Sequence, residues 1–193
     1  MKSPLRYQIT EFDCGSVSLK NCIAFLFERE KIPAELIRAI STYTLDCYDE
    51  FGNLGQGGTS RNAVRHLSRW MTNFSNSKDF GITCEYLKGN CVTLEKIRTC
   101  VEEGGCVNLR SYLIDTEHYV TITGIDNNRI YIFDPYYLNI DHFSNNKNIE
   151  ITKDFPFKYN RKVSLRYFDS AAPKKDLVLG PIKNREALLI NKK

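Results

Sequence analysis

From Cys14 onward, apolar residues recur at helical spacing. Val17, Cys22, Ile23, Phe25 and Leu26 fall on one pattern, with Lys20, Asn21, Glu28 and Arg29 at the polar positions. The pattern predicts a helix from Cys14 to about Glu30, capped by Asp13 and stopped before Pro33. Leu36, Ile37 and Ile40 give a second apolar stripe, predicting a helix over 34–43. Residues 46–58, "DCYDEFGNLGQGG", are rich in glycine and read as a loop. Thr59 or Ser60 then caps a third helix, which carries Val64, Leu67, Trp70 and Met71 to about Phe74.

The period changes after the "SNSKDFG" break. "ITCEYL" (82–87) alternates as a strand does, and "TLEKIRTCVEEGG" (93–105) is a short helix with a glycine stop. "CVNLRSYLI" (106–114), "HYVTITGI" (118–125) and "RIYIFDPY" (129–136) are strands, the last two joined by the turn residues "DNN" into a hairpin. "IEIT" (149–152), "KVSLRYF" (162–168) and "EALLIN" (186–191) predict three more. Helices first and strands afterwards predict an α+β fold, an N-terminal helical part packed on an antiparallel β-sheet. The expected organisation is a single domain over 1–193, with a core at 5–137 and a β-rich basic C-terminal extension at 138–193.

Composition narrows the function classes. At 42% hydrophobic and 26% charged, the 193 residues describe a folded globular chain. No apolar run approaches the roughly 20 residues of a membrane span. The start, "MKSPLRYQITEFDC", lacks the apolar stretch of a signal peptide, so the expectation is a cytoplasmic protein. Net charge is +4, but residues 1–137 carry −2 and residues 138–193 carry +6. A basic extension suits an acidic partner. There is no dense basic run or nucleic-acid motif, and nucleic acid is not expected. Seven cysteines without a Cys-x-x-Cys pair, and no histidine at zinc-finger spacing, argue against a disulfide framework and a metal site.

One cysteine differs from the rest. Cys14 opens the first helix, where free N–H groups and the helix dipole favour a thiolate. Gly15 keeps the backbone beside it uncrowded. A thiol nucleophile needs a base, and three histidines exist. His66 lies inside the third helix and His142 in an Asn-rich loop, whereas His118 begins a strand. Asp134 ends the partner strand of the same hairpin, and the even separation lets the two side chains share a sheet face. Asp134 then orients His118 and stabilises its imidazolium. Gln8, six residues before Cys14, supplies a side-chain amide that can join the Cys14 N–H in an oxyanion hole.

Gln8, "DCG" at 13–15, "HYVTITGI" and "FDP" at 133–135 together resemble the papain-like cysteine peptidases, and among them the bacteriocin-processing, double-glycine-leader peptidases in stand-alone form. The resemblance covers about residues 5–137. It implies a papain-like fold with Cys14 as nucleophile, His118 as base, Asp134 as third member and Gln8 in the oxyanion hole. The implied activity is hydrolysis of a peptide bond in a leader or short peptide, through an acyl-enzyme. No metal or organic cofactor is implied. The same triad also serves glutamine deamidases, amidases and acyltransferases acting on a protein partner, and a non-catalytic binding module could keep the fold. Transporters of that family continue into membrane and ATPase domains that this sequence does not contain.

Overall fold

The computed structural model describes residues 1–193. Three helices come first: α1 (Cys14–Leu26), α2 (Ala34–Tyr43) and α3 (Arg61–Lys78). There follow β1 (Ile82–Lys88), α4 (Leu94–Glu102), β2 (Cys106–Leu113), β3 (Thr116–Ile125) and β4 (Arg129–Phe133). The chain ends with β5 (Ile149–Ile151), β6 (Arg161–Ser164), α5 (Leu165–Phe168) and β7 (Glu186–Lys192). The seven strands form one antiparallel sheet in the order β1-β7-β2-β3-β4-β6-β5. The class is α+β, as the order of periodicities predicts. No helix is long and apolar enough to cross a membrane.

The sheet separates two cores. On one side Leu19, Ile23, Leu36, Ile40, Val64, Leu67 and Met71 from the first three helices pack against Cys106, Tyr119, Leu188 and Ile190. On the other, Ile97 and Cys100 of α4 join Val107, Leu109, Val120, Ile122, Ile130, Ile132 and Leu189. Phe168, Leu177 and Leu179 close this second core from the last third of the chain. A strand buried on both faces reads as an unbroken apolar run, and "ALLI" of β7 is one. That strand pairs with β1 on one side and β2 on the other, so residues 138–193 supply an interior strand as well as β5 and β6.

Local chemistry accounts for most of the boundaries. Ser60 accepts a hydrogen bond from the Ala63 N–H and begins α3, and Thr93 does the same for α4 from the Lys96 N–H. At the β3–β4 turn, Asp126 Oδ1 accepts from the backbone N–H groups of Asn128 and Arg129, both at 2.7 Å. Three expectations change. The first helix ends at Leu26, short of Glu30, because Phe27 turns to an extended conformation and packs its ring 4.4 Å from that of Phe80. The third helix runs past Phe74 to Lys78, until Asp79 takes the left-handed conformation that ends it. The "KVSLRYF" strand stops at Ser164 and coils into α5, which drives Phe168 fully into the second core.

Candidate active site

Cys14 is the first residue of α1, buried to 9% exposure at the end of the helix where N–H groups lack intrahelical acceptors. Asp13 does not cap that end. Its carboxylate turns back to accept from the N–H groups of Ile9 and Thr10 and from the Thr10 hydroxyl. The expected cap is thus spent on the 9–13 turn, and the helix N–H groups beside the sulfur stay unblocked by a carboxylate. Gly15 is required for a different reason than openness. A Cβ there would lie 2.7 Å from the Thr59 side chain, so glycine admits the 46–60 loop against the start of α1.

His118 projects from β3 between two groups. Its Nε2 lies 2.7 Å from Asp134 Oδ1, with both side chains buried. It also lies near enough to the Cys14 thiol to hold its pKa down; Nε2 being taken by Asp134, Nδ1 is the ring nitrogen left to face the sulfur. The Tyr136 ring stands edge-on to the imidazole at 6.3 Å between centroids. Neither other histidine approaches the site: His66 is exposed against the Tyr43 ring, and His142 is exposed beside Phe143.

The shared face of His118 and Asp134 has a specific cause. Near the turn Gly124 pairs with Tyr131 and Ile125 with Ile130, but further along Thr121 pairs with Phe133 and Ile122 with Ile132. Thr123 is therefore an extra residue, a β-bulge, held by its hydroxyl donating to the Lys158 carbonyl at 2.7 Å. Continued past the ladder, this register sets Asp134 opposite Val120, two residues from His118 on the same face. The register nearer the turn would have put the two side chains on opposite faces.

The electrostatics follow from burial and pairing. Burial would push the Cys14 thiol up, but the hydrogen bond and charge of His118, with the backbone N–H groups of Tyr119 and Gly15, hold it below an ordinary thiol. Burial alone would lower His118; the adjacent Asp134 and Cys14 outweigh it and raise the imidazole to about 10. Burial likewise opposes ionisation of Asp134, and His118, Arg161 and the Tyr136 N–H bring its carboxyl below the usual range. Both shifts favour the thiolate–imidazolium form of the pair. Cys84 and Cys100 lack such a partner, and desolvation pushes both up to about 12. All seven cysteines are free thiols.

The sulfur and the imidazole open onto a cleft of about 420 Å³. Glu11, Phe12, Gln56, Gly57, Gly58 and Tyr136 are among its walls. Gln8 is not. Its backbone N–H donates to the Pro135 carbonyl at 2.8 Å and ties the segment before α1 to the end of β4. Its side-chain Nε2 donates to the Thr10 carbonyl at 2.7 Å, and Oε1 is buried without a partner. No three His, Cys, Asp or Glu side chains converge to hold a metal ion.

Sequence reasoning missed the groups behind Asp134. Asn160 Oδ1 accepts from the Asp134 N–H and its Nδ2 donates to the Asp134 carbonyl, both at 2.8 Å. Arg161, 1% exposed, brings Nη2 to 3.2 Å from Asp134 Oδ2. The only signal for Arg161 is parity: it lies two positions from the buried Val163 on the same strand.

No family model matches the chain, and no curated protein matches it. Among solved structures, it is similar to a double glycine motif protease from an AMS/PCAT transporter, crystallised in complex with the leader peptide. The two share 15% identity with a TM-score of 0.49, over 100% of this chain and 93% of that one.

Proposed function

We propose that this protein is a cysteine peptidase of papain-like fold that cleaves a leader or other short peptide. The observation that carries the reading is His118 held between a thiol at a helix N-terminus and a buried carboxylate, beside an open cleft. In this mechanism the Cys14 thiolate attacks the scissile carbonyl, and helix N–H groups stabilise the oxyanion. The His118 imidazolium gives its proton to the leaving amine. Acylation removes the negative sulfur and the first proton transfer neutralises the imidazole, so His118 is then free to take a proton from water. That water releases the acyl group and restores the thiolate–imidazolium pair. Asp134 keeps the ring oriented and stays ionised throughout.

The test incubates the purified protein with a defined peptide mixture containing double-glycine and other small-residue sites, with iodoacetamide-treated protein as control. New amino termini resolved by mass spectrometry, absent from the control, are the expected result. Ammonia release from glutamine side chains without chain cleavage would move the activity to deamidation. If neither signal is seen while Cys14 is unmodified, the peptidase reading fails for these sequences.

Gln8 enters this proposal as the side-chain donor to the oxyanion, with its second amide N–H or after leaving the Thr10 carbonyl. Gln8→Ala is expected to lower turnover by about 10²-fold while leaving the pH profile of Cys14 alkylation unchanged, because alkylation forms no oxyanion. Turnover within twofold of wild type would assign the oxyanion to backbone N–H groups alone.

A further inference from the structure

We infer that Arg161, with Asn160, is a positioning and charge-balancing element of this site, supplied by the C-terminal third of the chain. The inference rests on the Cys14–His118–Asp134 reading above. A carboxylate with no solvent exposure needs a compensating charge and donors. Asp134 Oδ1 receives His118 and the Tyr136 N–H, but Oδ2 has no hydrogen-bond donor. Arg161 lies 3.2 Å from Oδ2 as an ion pair, while its N–H groups aim elsewhere: Nη2 to the Tyr136 carbonyl at 2.9 Å and Nη1 to the Asn160 carbonyl at 3.1 Å. These two bonds fix the guanidinium in place. Asn160 fixes the other side of the contact by clamping the Asp134 peptide through both amide atoms.

The result is a buried row of alternating charge: thiolate, imidazolium, carboxylate, guanidinium. The four sum to zero, and removing the guanidinium leaves an excess negative charge away from water. Every acid in the row then becomes harder to ionise, the Cys14 thiol included. The other carboxylates facing the cleft have hydrogen-bond or ion-pair partners of their own. Glu117 pairs with Arg110 and, at 3.5 Å, Arg61, and Glu11 accepts from the Tyr136 hydroxyl at 2.9 Å. Neither offers Asp134 a cation, so Arg161 has no substitute.

Arg161→Gln keeps amide donors for the carbonyl oxygens and removes the charge; Arg161→Lys keeps a charge and loses the fork. Cys14 alkylation is followed from pH 5 to 9 by peptide mass spectrometry on the full-length protein, with thermal melts beside it. The acid limb is expected to move up by about one pH unit in Arg161→Gln and to stay within about 0.3 unit in Arg161→Lys. An unmoved limb in a folded Arg161→Gln protein overturns the inference. Should that variant not fold, a limb displaced in Arg161→Lys overturns it, and a retained one supports it. A wild-type Cys14 that reacts no faster at low pH than the other thiols would instead overturn the triad reading itself.

Discussion

Replacing His118 with Ala is expected to move the pH dependence of Cys14 alkylation upward and to lower peptide turnover by roughly 10⁶-fold, as Cys14→Ala would. Its size at each pH follows from two opposing effects of a depressed thiol pKa. Each unit of depression multiplies the thiolate fraction tenfold at pH values below it, but lowers the nucleophilicity of that thiolate by roughly threefold. At low pH the first effect wins, by about threefold per unit. Only at a pH where both thiols are ionised does the second remain alone. Wild type should therefore alkylate faster than His118→Ala at pH 5, by a margin that narrows as the pH rises toward the variant's thiol pKa. The variant keeps the burial that pushes Cys14 up and loses the His118 interactions that hold it down, which widens the gap. Parallel curves, with a rate ratio that does not change with pH, would mean that access and not ionisation controls the thiol.

Shortening the chain after Gly180 is expected to abolish the fold, although all four candidate site residues would remain. The deletion removes β7, which is hydrogen-bonded to strands on both sides. Leu188, Leu189 and Ile190 alone bury side chains worth roughly 1.5–3 kcal/mol each, a total comparable to the ~5–15 kcal/mol by which a domain is stable. Nor can the sheet simply close up. β1 and β2 are each antiparallel to β7 and so run parallel to one another, two strand spacings apart, with α4 as their crossover. Far-UV circular dichroism and a thermal melt decide the matter. A cooperative transition with native-like ellipticity would show residues 181–193 to be dispensable to folding.

Much of this architecture is written locally. Helices α1 to α4 are legible because their apolar stripes, the Ser60 and Thr93 caps and the glycine and proline stops act within a few residues of where they stand. The same holds for the Asp126 turn, whose side chain fixes its own backbone. Cys14, His118 and Asp134 are recognisable by residue type and by their places at element ends. Other features depend on which of several available partners a group takes, near or distant in sequence. That Asp13 holds Thr10 and not the helix, that Gln8 binds the Thr10 carbonyl outside the cleft wall, and that Thr59 fills the space over Gly15 are outcomes of competition among neighbours.

The α+β class, most of the elements and the residue types at the candidate site were legible along the chain, because periodicity and turn chemistry are properties of short segments. The parity of the β3–β4 hairpin is a tertiary outcome: in the register of the turn His118 and Asp134 would point to opposite faces, and one extra residue restores the shared face. That residue is Thr123, held by the carbonyl of Lys158, 35 residues further along the chain. Tertiary packing also seats β7 between β1 and β2, and brings Asn160 and Arg161 against Asp134 across 26 residues or more. No local pattern specifies such a meeting, because a buried charge finds its counterion in space and not along the chain.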